Sequence, residues 1–209
     1  MRIFREAFIS GKPVVEGRGA GPVRWAIFLV SSFVFSFSLT IMYYGMRGVM
    51  MLGGFVASGG PYEIAHPAPD WVWLMPVSVL LMVFSIFTSI FSAPKINGPN
   101  IMALSWSAIF LSLGWNFLEF GFGIGMGGGL AIGWIICAVF FIPMGLLPLI
   151  FVLRSFFRSM NARRNVSESD YAAPSDQSHQ LSWGTSLLLQ VILCGLGVWL
   201  GIFVFSAVA

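Results

Sequence analysis

Charge is nearly missing from this chain. Its 209 residues include 11 Lys and Arg and 8 Asp and Glu, so 9% are charged while 57% are hydrophobic. A water-soluble domain of that length covers its surface with far more charge. The composition, with mean hydropathy +0.88, points instead to an integral membrane protein. Histidine and cysteine are also scarce, at two each. Neither His66 nor His179 falls in an apolar stretch, which removes the paired axial ligands of a membrane-embedded b-type haem. Cys137 and Cys194 lie inside apolar stretches, at depths that need not match, and read as packing residues. No HExxH, Walker, CxxC or GxSxG pattern occurs. That argues against a metalloprotease, an ATPase, a redox thiol enzyme or a serine hydrolase. No cofactor or metal is expected.

What the chain does have is long apolar runs. Five of them, at about Trp25–Gly45, Trp71–Ser92, Ile101–Phe122, Ala131–Leu153 and Trp183–Val208, have 21 to 26 residues each. At ~1.5 Å per residue each crosses the ~30 Å hydrocarbon core as a helix. The fold expected is therefore all-α, a polytopic membrane protein of five transmembrane helices. Residues 1–24 form a basic arm and 25–209 a single transmembrane domain. The first run is too long for the core of a secretory signal, and no small-residue cleavage site follows it closely, so it reads as an uncleaved anchor.

The basic residues lie on alternate sides of these runs. Arg2, Arg5, Lys12, Arg18 and Arg24 precede the first; Lys95 follows the second; Arg154, Arg158, Arg163 and Arg164 follow the fourth. Only Arg47 falls on the other side. Basic residues are retained in the cytoplasm during insertion, so the N-terminus is expected inside and the C-terminus outside, with the plasma membrane the expected location. In the arm, Ile3, Phe4, Phe8 and Ile9 interleave with Arg2 and Arg5, a pattern that suits the lipid interface. The net charge of +3 sits beside membrane ends, where it attracts anionic headgroups at the cytoplasmic face and carries no message about nucleic acid.

Between the first two runs, residues 46–70 read as an ordered Gly/Pro-rich external cap. Its apolar portion, Val49 to Ala57, is open to three readings: an extension of the first helix, a re-entrant segment, or a surface segment. Extending the helix draws Arg47 toward lipid, at about 2.5–3.5 kcal/mol if it reached the centre. Serines at seven-residue spacing (Ser78, Ser85 and Ser92 on the second run, Ser105 and Ser112 on the third) suggest small-residue stripes that face each other. The eight-residue link between those runs supports antiparallel neighbours. The glycines from Gly121 to Gly133 read as a turn or as a GxxxG face, the turn being favoured because two spans must fit there. Gly197 and Gly201 form a second GxxxG pair, and Pro143 and Pro148 suggest a kink in the fourth span. Residues 155–182 read as a polar cytoplasmic loop.

Candidate functional residues are few. Glu119 is the acid closest to lipid, with Asn116 nearly one turn before it: a protonatable or cation-binding site, or an interfacial carboxylate. The cap carries Arg47, Glu63, His66 and Asp70, either a metal or proton-handling group or an ion pair from Arg47 to Glu63 or Asp70 that locks the cap. Three functions follow. The first is a non-catalytic accessory, scaffold or regulatory subunit of a larger membrane complex, which implies partner subunits or a second copy of the chain. The second is a small oligomeric transporter or channel using Glu119 and Asn116 and gated near Pro143 and Pro148. The third is an outer-face enzyme acting on lipid through Glu63, His66 and Asp70. The scarcity of intramembrane ionisable groups favours the first.

Overall fold

The computed structural model describes residues 21–52, 57–58, 63–64, 68–92, 100–124, 129–165 and 183–209. Five helices dominate it, each long and apolar enough to cross a membrane. Helix α1 is Pro22–Met51. A 3-10 turn, Asp70–Trp73, leads into α2, Leu74–Ser92. A second 3-10 turn, Ile101–Leu104, leads into α3, Ser105–Gly121. Helices α4, Ile132–Asn165, and α5, Trp183–Val208, complete the bundle. Between α1 and α2 a minimal antiparallel ladder pairs Ala57–Ser58 with Glu63–Ile64.

Successive helices run in opposite directions. One end of the bundle gathers Arg47, Met75, Glu119, Ile135 and Phe205; the other gathers Asn100, Ile101 and Gln190. We call these the Arg47 end and the Asn100 end. Pro22 and Val208 consequently lie at opposite ends.

Helix α1 is the hub, with half of its apolar stretch buried against 11% for α4 and α5. Its three faces seat α2, α5 and, less extensively, α3. Toward α2 it presents Ser31, Ser38 and Gly45, seven residues apart, and α2 answers with the buried Ser78, Ser85 and Ser92. The register is fixed at one end by a 2.8 Å hydrogen bond between Ser31 Oγ and Thr88 Oγ1, and at the other by Met75 pressed on Gly45. Small side chains let the two backbones approach, which is how helices associate where water cannot drive them. The hydroxyls return bonds to their own helices, as Ser78 Oγ does to Met75 O at 2.7 Å and Ser85 Oγ to Met82 O at 2.8 Å.

The stripe on the second helix thus faces the first helix, which corrects the expectation that it meets Ser105 and Ser112. Helices α2 and α3 have few close backbone approaches. They meet through side chains instead, in a cluster of Phe35, Met42, Met82 and Met102 flanked by Ile86 and Ile109. Helix α3 gives its small-residue face to α4. A Cβ on Gly114 would lie 3.2 Å from Ile142 N, and one on Gly145 would lie 3.0 Å from Leu111 N. Phe117 stacks on Trp134 beside that contact, with ring centroids 5.4 Å apart.

Gly197 and Gly201 do form a close contact, against α1 at Phe33, Ser36, Phe37 and Thr40. The run after Gly121 behaves as a break. Helix α3 stops at Gly121, Gly123 takes φ 65°, and open space surrounds Gly129 and Gly133. Two helices outrun their apolar stretches. α1 continues to Met51 and carries Arg47 with it, which selects the helix-extension reading for residues 46–51. α4 continues to Asn165, about three turns past Leu153, with Pro143 and Pro148 inside one helix. The reason is that no Gly or Pro interrupts Arg154–Asn165. Loss of apolarity ends a span but not a helix.

Candidate functional site

Asn116 and Glu119 are three residues apart on α3, and Tyr43 and Arg47 are four apart on α1; at these spacings each pair shares a helix face. The two faces meet at the Arg47 end. The Arg47 guanidinium pairs with Glu119 Oε2, the one ion pair among the described residues. Trp115 Nε1–H donates to Glu119 Oε1 at 3.1 Å, so both carboxylate oxygens are occupied. One turn deeper, Asn116 Nδ2 donates to Tyr43 O at 3.4 Å. Asn116 is fully buried, and its Oδ1 has no hydrogen-bond partner among the described residues.

The electrostatics follow from this placement. Glu119 is 13% exposed and Arg47 30%. Each charge alone, near or in hydrocarbon, is unfavourable by a few kcal/mol. Brought together they form a neutral unit whose hydrogen-bonding groups are turned on each other. That is the physical reason α1 carries an arginine in its last turns. Of the other sequence candidates, Asp70 is exposed at the head of the 3-10 turn before α2. His66 and the side chain of Glu63 lie outside the described residues. Arg47 is engaged by Glu119, while the side chain of Glu63, one of its two expected partners, is not among those described. Among the described residues no three His, Cys, Asp or Glu side chains come together as a metal site would require.

A second polar group spans helices at the Asn100 end. Gln190 of α5 is fully buried. Its Oε1 accepts the backbone N–H of Ile101 at 3.0 Å, and its Nε2 donates to Ser186 O at 3.2 Å and Ser186 Oγ at 3.3 Å. The first N–H groups of a helix have no partner within it, and Gln190 supplies one to the turn that opens α3. Asn100 Oδ1 supplies another, accepting from Met102 N at 3.0 Å and from Ser89 Oγ of α2 at 3.4 Å. Sequence reasoning passed over Gln190. Its signal was available, since it is the one side-chain amide in the apolar run Trp183–Val208.

No protein-family model, curated protein or solved structure matches this chain.

Proposed function

We propose that this protein is a non-catalytic accessory, scaffold or regulatory subunit that packs against a larger membrane complex. The observation that carries the reading is that the one charge pair among the described spans is consumed internally, tying α1 to α3. While the bundle is closed, a carboxylate with both oxygens held by Arg47 and Trp115 acts as a structural tie and is not free to cycle protons or ions. Meanwhile α4 and α5 turn large apolar side chains outward, among them Phe140, Phe151, Trp199 and Phe203. In a membrane such faces contact lipid or the helices of a partner.

The orientation belongs to the same proposal. The Asn100 end, with Arg154, Arg158, Arg163 and Arg164 on or beside it, faces the cytoplasm and anionic lipid, and the Arg47 end faces outward. Of the segment expected as an external cap, residues 46–51 belong to α1, and residues 53–56, 59–62 and 65–67 lie outside the described residues. The plasma membrane is the location proposed. Solubilisation in mild detergent should bring down stoichiometric partner subunits, or a second copy of the chain, while the isolated protein conducts nothing in liposomes. One observation favours a second reading, a small oligomeric transporter. Asn116 Oδ1 is buried with no donor among the described residues, as a polar ligand site would be between turnovers. Solute or ion flux that disappears on Asn116→Leu and Glu119→Gln would establish that reading and overturn the first.

A further inference from the structure

The five helices fall into two packing groups. α1, α2 and α5 form one, joined by the serine seam and by the seats of Gly197 and Gly201. α3 and α4 form the other, joined at Gly114, Gly121 and Gly145. Contact between the groups is much thinner than contact within them.

Chain connectivity treats the two ends of this seam differently. The connections α1–α2 and α3–α4 each stay inside a group, and both lie at the Arg47 end. The connections α2–α3 and α4–α5 cross between groups, and both lie at the Asn100 end. The groups are therefore covalently joined at one end only. That end also carries hydrogen bonds across the seam, from Ile101 N to Gln190 and from Ser89 to Asn100. At the opposite end the polar contacts across the seam among the described residues are the Arg47–Glu119 pair and the Asn116–Tyr43 bond. Between the two ends runs a buried cluster from Met102, beside the pivot, to Met42, beside Tyr43, and three of its four buried members, Met42, Met82 and Met102, are methionines. Methionine is unbranched and adapts to shifted surroundings more readily than other core residues.

We infer that the fold is a clamshell: the α3–α4 pair swings on a pivot at the Asn100 end, and the Arg47–Glu119 pair is the latch that holds the other end shut. In the closed state Asn116 Oδ1 is buried without a donor among the described residues, which destabilises the seam where it must part. Opening exposes that amide and frees both charges toward the Arg47 end. The inference does not depend on the accessory-subunit reading, since it concerns motion of the isolated chain.

The test is a set of distance measurements between paired spin labels on the full chain in lipid nanodiscs, with Cys137 and Cys194 replaced by alanine. Three pairs of exposed positions are labelled after substitution by cysteine: Trp73 with Ile132 across the groups at the latch, Trp73 with Val208 within one group, and Phe91 with Phe157 across the groups at the pivot. Glu119→Gln is expected to lengthen and broaden the first distance while the second and third stay as they were. The charge-swapped double variant Arg47→Glu, Glu119→Arg is expected to restore the first distance. If all three distances are unchanged by Glu119→Gln, or if all three move together, the clamshell is wrong. Arg47→Gln, which breaks the pair from the α1 side, keeps the test decisive should the swap pack badly. It must lengthen the latch distance as Glu119→Gln does and leave the other two unchanged, and an unchanged latch distance would overturn the inference.

Discussion

Gly197→Ala adds one methyl group at the tightest seat in the bundle. The new Cβ would lie 2.6 Å from Phe33 O and 3.0 Å from Phe37 N, both backbone atoms of α1. Ser36 Oγ can rotate away, but a helix backbone cannot. To bring the carbonyl contact out to the ordinary 3.4 Å, α5 must move off α1 locally by the difference between the two distances. A gap of that order forfeits about a quarter to a half of each van der Waals contact worth ~0.1–0.2 kcal/mol. For ~30 atom pairs along that stretch the loss is about 1–3 kcal/mol, the range measured for overpacked cores. Gly195, two residues earlier, gives the matched control because it has nothing within 4 Å. There the same substitution relieves a helix glycine and should raise stability by up to about 1 kcal/mol. Reversible unfolding in mixed dodecylmaltoside and SDS micelles, followed by tryptophan fluorescence, separates the two. Equal effects of Gly197→Ala and Gly195→Ala would show that α5 does not seat on α1 as described.

Other substitutions probe the polar groups. Arg47→Ala and Glu119→Ala each strand a charge, and each should lower stability by about 1–3 kcal/mol, less than a fully buried pair because Arg47 is 30% exposed. Their double variant should fall short of the sum by about 0.5–3 kcal/mol in a double-mutant cycle, and strict additivity would mean that the pair does not form. Gln190→Leu leaves Ile101 N–H without its acceptor and should cost about 1–3 kcal/mol, with faster hydrogen exchange at the head of α3. Asn116→Leu removes an amide whose oxygen is already unpartnered, so its change should stay within about 1 kcal/mol; a larger loss would mean that the oxygen has a partner in the membrane. A fluorescent reporter fused after Ala209 should be accessible from outside intact cells, and one fused before Met1 only after permeabilisation.

The spans were legible because a run of about twenty apolar residues between polar ones has few other uses. Their ends were less so. Apolarity marks where lipid begins, whereas Arg154 to Asn165 extends α4 by propensity, and α1 runs past Gly45 with Arg47 held by Glu119 and Trp71 packed on Gly48. The serine spacing on the second helix announced an interface but not its partner. The answering residues, Ser31, Ser38 and Gly45, mix two residue types and are hidden among Ser32 and Ser36. Glu119, Asn116 and Arg47 each stood out as rare polar residues in or beside spans. Their meeting did not, since 72 positions separate Arg47 from Glu119 and nothing in either neighbourhood names the other. Gln190 carries no charge to mark it in the sequence, yet an uncharged amide satisfies a helix end equally well.

The pairing of α1 with α5 bears on how the protein is made. α1 precedes the other four helices in the chain and α5 follows them, yet these two share one of the closest interfaces. During synthesis the groove between Phe33 and Thr40 must therefore wait, bare within the bilayer, until Gly197 and Gly201 leave the ribosome. A nascent chain halted anywhere before α5 would present that groove to the insertion machinery and to membrane quality control as an unfinished product.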